Sequence, residues 1–170
     1  MRNVFGVLAL CLLATSGWCR DNLVVPLEAQ ALAKAHGCDQ VADFFDSRPA
    51  AEDPPYALIA GDGLKLQIAV WCTRDLSKPE GARTYTLLVR SDDTANPLAK
   101  CPGVIGDIKH IGGLRFVDIA DEAKHYFFVD TQARVPLTGQ LNTKGIVSSY
   151  DGLEERYVCV NSKWAYRALD

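Results

Sequence analysis

The sequence predicts a mostly β protein: an antiparallel β-sandwich or small barrel carrying one short N-terminal helix and stapled by two disulfides. Three observations predict it. Short apolar runs with period-2 alternation recur along the chain, rich in β-branched and aromatic residues. Glycine pairs of the kind that close hairpins separate several of them. An even set of cysteines, with no Cys-x-x-Cys, follows an N-terminal segment that looks like an export signal.

That segment comes first in the chain. Met1 and Arg2 supply a positive start, Val4 to Ala14 is apolar apart from Gly6, and small residues follow at Ala14, Ser16 and Gly17. The run is shorter than the roughly 20 apolar residues a spanning helix needs. Cleavage after Ser16 or after Cys19 both fit. The second leaves an even number of cysteines, so residues 1–19 are read as a signal peptide and 20–170 as a single exported domain, periplasmic or secreted. About 150 residues suffice for one domain with a real core.

Val25 to Gly37 reads as a helix, with Pro26 at its start, Glu28 in the first turn, Lys34 and His36 in the last, and Gly37 as the left-handed stop. Leu27, Ala31 and Ala35 share one face, with Leu32 and His36 beside it. A second helical turn is expected at Val41–Phe45, before the proline-rich connector 49–55. Of the three pairings open to Cys38, Cys72, Cys101 and Cys159, we favour Cys38 with Cys72, tying the helix to the sheet, and Cys101 with Cys159.

The strands follow. Tyr56–Ala60 turns into Leu64–Cys72 across Gly61-Asp62-Gly63, and Asp107–Ile111 is expected to turn into Leu114–Ile119 across Gly112-Gly113. In Leu64–Cys72 the face holding Lys65, Gln67, Ala69 and Trp71 changes from polar to apolar, so its far end is expected to be covered by the helix. Arg83–Arg90 alternates as a half-buried strand, with Tyr85, Leu87 and Val89 on one side. Leu98–Cys101 reads as a short edge strand stopped by Pro102. Asp121–Lys124 is a turn into His125–Asp130. Gly145–Tyr150 pairs with Leu153–Val160 across Asp151-Gly152, and Lys163–Leu169 closes the chain, giving eight or nine strands.

Chemistry is sparse. The formal net charge is −3, and no two Lys or Arg residues are adjacent, which disfavours nucleic acid and anionic membrane as partners. His36 suits a helix end. His110 and His125, with Asp118, Asp121 and Asp130 near in sequence, lack the spacing of a metal site, so neither metal nor cofactor is expected. There is no Gly-x-Ser-x-Gly around Ser148-Ser149, and no glycine-rich strand-to-helix loop for phosphate. The chain reads as a non-enzyme. What remains are two glycine-turned tips, Lys109-His110-Ile111-Gly112-Gly113 and Ser148-Ser149-Tyr150-Asp151-Gly152. Tight tips on a stapled sheet lose little entropy on docking, so Lys109, His110, Ile111, Gly112, Ser148, Ser149 and Tyr150 are the candidate partner-binding residues.

No motif of a known family stands out. In build the chain resembles small exported inhibitors and immunity proteins of the bacterial cell envelope, with their signal peptide, all-β body, two disulfides and slight acidity. That resemblance implies a protein that plugs the cleft of a cell-wall-degrading enzyme, a peptidoglycan amidase toxin or a lysozyme, with the acidity steering it to a basic target. The alternative expectation is a periplasmic ligand-binding barrel or an envelope-assembly factor.

Overall fold

The computed structural model describes residues 25–38, 54–75, 77–79, 82–108, 111–118, 126–129, 133–136, 144–150 and 152–169. The expected signal segment 1–19, the expected helical turn Val41–Phe45 and the expected turn Asp121–Lys124 lie outside them. Among the described residues one helix, α1 (Leu27–Ala35), precedes ten strands: β1 (Tyr56–Ile59), β2 (Gln67–Cys72), β3 (Tyr85–Ser91), β4 (Val104–Ile108), β5 (Gly113–Asp118), β6 (Tyr126–Val129), β7 (Ala133–Pro136), β8 (Lys144–Tyr150), β9 (Leu153–Val160) and β10 (Lys163–Leu169). They form a four-stranded sheet ordered β1-β2-β3-β4 and a six-stranded sheet ordered β5-β8-β9-β10-β6-β7. All the ladders are antiparallel. The expected disulfides are present, Cys38–Cys72 and Cys101–Cys159.

The sheets share one core. Trp71 on β2, Leu87 on β3, Leu114 on β5, Ile146 on β8 and Tyr157 on β9 pack together between them, with Trp164 and Tyr166 of β10 at the margin. The architecture is therefore the sandwich. On one side the backbone N–H of Leu114 donates to the Pro54 carbonyl at 2.7 Å, bringing the start of β5 beside the chain that enters β1. On the other, Cys101–Cys159 ties the segment leading into β4 to β9, and the Trp164 indole N–H donates to the Pro102 carbonyl at 2.7 Å.

Every residue of β2 is buried, because this strand is covered on both faces. Ile68, Val70 and Cys72 meet α1, whereas Ala69 and Trp71 enter the inter-sheet core. This corrects the expectation that the helix lies over Ala69 and Trp71. A large indole cannot sit beneath a close-packed alanine face. Between the sheets it has room, and its Nε1–H finds the Gly112 carbonyl at 2.8 Å. Gln67, expected on a solvated face, is buried and accepts from the Asn96 side-chain amide at 3.2 Å. The helix also presents another face than expected: Ala29 and Ala33 are buried and Leu27 is exposed. The residues that let two backbones approach are the smallest ones.

Two further expectations are corrected. Pro97–Lys100 is a 3-10 turn and not an edge strand, since Asn96 caps it by accepting from the Leu98 N–H at 3.1 Å and Pro97 fixes the first turn. Asp107–Ile111 and Leu114–Ile119 form no hairpin: β4 pairs with β3 and β5 pairs with β8, so the chain crosses from one sheet to the other between them. Gly112 does not take the positive φ of a tight turn. It is there for proximity, because a Cβ on it would lie 1.9 Å from the Ser149 carbonyl oxygen.

Candidate functional site

The β8–β9 hairpin closes as the Asp-Gly pair predicts. Tyr150 stands opposite Leu153, and Gly152 takes a φ of +81° that a side chain would resist. Around its tip the structure gathers the two stretches the sequence presents as separate tips. Gly113 pairs with Ser149, and Gly112 packs on the same peptide. The described part of the crossover and the hairpin thus form one end of the sandwich. Lys109 and His110 lie outside the described residues.

The candidate residues differ in how far they reach solvent. Ile111 and Ser148 are only 9% and 3% exposed, and Gly112 is buried. These three support the tip from inside and do not meet solvent. Ser149 and Tyr150 are half-buried, and Leu153, which the sequence did not single out, is 52% exposed. The surface available at this end is therefore Ser149, Tyr150 and Leu153.

Inside, Tyr157 donates its phenolic O–H to Glu155 Oε2 at 2.5 Å. Burial holds the Tyr157 phenol well above its ordinary pKa, and the Glu155 hydrogen bond and charge push it the same way. The pair secures β9 just below the tip.

Outside, strand register assembles a feature no stretch of sequence reveals. Arg115, Val147, Arg156 and Arg167 occupy one row across β5, β8, β9 and β10. Glu154 bridges two of these arginines: it pairs closely with Arg115 and accepts from Arg156 Nη2 at 3.1 Å. Arg115 Nη1 also donates to Ser149 Oγ at 3.0 Å, linking the row to the tip. The Arg156 guanidinium is held below its ordinary pKa by desolvation first, then by Arg115 and Arg167. Three arginines thus meet on one face of the sheet, with Glu154 between two of them.

Among the described residues no group of three or more His, Cys, Asp or Glu is placed to hold a metal ion. No helix among them is long and apolar enough to cross a membrane. What the site offers chemically is a rigid apolar tip beside a row of guanidinium donors. Compared with known proteins, the chain matches no family model, no curated protein and no solved structure.

Proposed function

We propose that this is an exported binding protein that inhibits a cell-wall-degrading enzyme by lodging the β8–β9 tip in the enzyme's cleft. The observation that carries the reading is the tip itself: exposed Leu153 opposite half-buried Tyr150, next to Ser149 and Arg115. A tyrosine and an arginine are residues in which energetically dominant interface patches are enriched, and exposed Leu153 adds apolar area beside them. Their support is stiff. β8 and β9 are internal strands of their sheet, and β9 carries Cys159 of the Cys101–Cys159 bridge, so little order is lost on docking. Disulfides also suit an extracellular or periplasmic setting.

The test is a pull-down from native envelope extract with the tagged, oxidised mature protein, followed by an activity assay on what is recovered. The expected result is one stoichiometric partner with cell-wall hydrolase activity, inhibited by the wild type. Leu153→Asp and Tyr150→Ala should stay folded yet lose at least tenfold in inhibition, the equivalent of about 1.4 kcal/mol. A recovered hydrolase that both variants inhibit normally would remove the tip from the reading, and a bound protein with no hydrolase activity would remove the enzyme.

A further inference from the structure

We infer that β4, a free edge of the four-stranded sheet, pairs with the β4 of a second copy of this chain, antiparallel about a two-fold axis at Ile105. This contact is independent of the tip, which lies on the other sheet.

The edge is open. Among the described residues β4 pairs with β3 alone. Gly103 and Gly106 are exposed, and Val104 is 42% exposed. The other edges are handled differently. β1 and β5 come together where the Leu114 N–H meets the Pro54 carbonyl, and β7 ends on Pro136, which has no N–H to offer. β4 reads Val-Ile-Gly-Asp-Ile, without the lysine or proline that keeps natural edges single.

Hydrogen-bond parity selects the register. The Val89 N–H donates to the Gly103 carbonyl at 2.9 Å, and Leu88 and Leu87 stand opposite Val104 and Ile105. In an antiparallel ladder alternate residues turn their polar groups to the same side. Gly103 and Ile105 therefore serve β3, whereas Val104 and Gly106 direct their N–H and C=O groups to the free edge. An axis at Ile105 sets Val104 opposite Gly106 of the second copy, and Gly106 opposite its Val104. Each pair then exchanges both of its N–H···O bonds.

The side chains fit the same register. Ile105 packs on the inter-sheet core, so Val104 and Gly106 lie on the opposite, outer face. A Cβ on Gly106 would find nothing within 4 Å. The space left open there takes the exposed Val104 of the second copy, and glycine inside a strand is a recurrent mark of such a close approach. The pairing also limits itself. The register of β4 shifts between Ile105 and Ile108, and a bulge of this kind bends the strand away. Identical patches that meet about a two-fold axis close as a dimer and do not propagate.

The experiment is sedimentation velocity of the oxidised mature protein from about 1 µM to about 1 mM, the range suited to a small interface. The wild type should pass from monomer to dimer and stop there. Val104→Lys and Gly106→Lys should each weaken the dimer at least tenfold, with unchanged circular dichroism because neither position is buried. Mixing Val104→Lys with Gly106→Glu should recover a dimer, since the register sets the lysine opposite the glutamate. A protein that stays monomeric throughout, a dimer that both lysine variants leave intact, a mixture that fails to associate, or species that grow beyond a dimer would each overturn the inference. A monomer whose hold on a recovered hydrolase weakens in Val104→Lys would assign the edge to that partner, and self-pairing would fall.

Discussion

Tyr157 shows how a single side chain in the sandwich makes stability depend on pH. Its phenol is 5% exposed as a residue and hydrogen-bonded to Glu155, so its folded pKa lies above the roughly 10 of an unfolded tyrosine. A raised pKa means that the stabilisation is whole below about pH 10. It is lost as pH rises further, because the unfolded chain then releases a proton that the folded one keeps. Tyr157→Phe should cost about 1–2 kcal/mol at pH 7 through the lost hydrogen bond. The gap between wild type and variant should narrow above pH 10 in denaturant titrations, and a constant gap would contradict this account. Gly112 is a second residue whose role is local. A Cβ there meets the Ser149 carbonyl oxygen at 1.9 Å and its carbon at 2.3 Å, both main-chain atoms that cannot swing aside. Gly112→Ala should destabilise by about 2 kcal/mol or more, while Gly106→Ala, with nothing within 4 Å, should stay within about 0.5 kcal/mol. Equal midpoints for the two would refute the close approach.

At the scale of elements, α1 is held to the four-stranded sheet by three things: alanine packing, the Cys38–Cys72 bridge, and Arg74, whose guanidinium donates to the His36 carbonyl at the helix C-terminus. The inter-sheet core contains no α1 residue. Replacing Cys38 and Cys72 together by Ala should therefore cost about 2–4 kcal/mol and free the helix first. Hydrogen exchange should quicken in α1 while β9 and β10 keep their protection, and a uniform loss would show that the helix is not separately attached. What was legible here follows from what each signal encodes. The hairpin at Asp151-Gly152 is legible because Gly152 takes positive φ; the one at Gly61-Asp62-Gly63 is legible as a pairing, but β2 starts only at Gln67, so Leu64, expected in the strand, lies exposed in a loop of residues 60–66. Gly112-Gly113 looks the same in sequence but serves close packing, and nothing local separates the two uses of glycine. The buried helix face is not legible because alanine is nearly neutral in hydropathy, whereas the bulkier Leu27 marks a side that remains solvated. The tip at Ser149 and Tyr150 was visible as turn chemistry. The arginine row was not, since Arg115, Arg156 and Arg167 lie far apart in the chain and meet only through register.

For the molecule as a whole, the question is whether two sheets behave as one body. Trp71 belongs to the four-stranded sheet, yet its indole N–H is bonded to Gly112 in the crossover and its ring lies in the core both sheets share. Trp164 belongs to the six-stranded sheet, yet it is bonded to Pro102, just before β4. The Cys101–Cys159 bridge spans the same seam with a sequence separation of 58, so it restrains the unfolded chain over a long loop. Neither sheet can expose its inner face without stripping the other. Unfolding of the oxidised protein should then be a single transition, as for most domains of this size. Tryptophan fluorescence, which reports the seam, and far-ultraviolet circular dichroism, which reports the strands, should give the same midpoint in guanidinium chloride. Replacing Cys101 and Cys159 by Ala should move both midpoints down together. A fluorescence transition that precedes the loss of strand signal in the oxidised wild type would mean that the sheets separate before they melt. The tip and the arginine row would then ride on the six-stranded sheet alone.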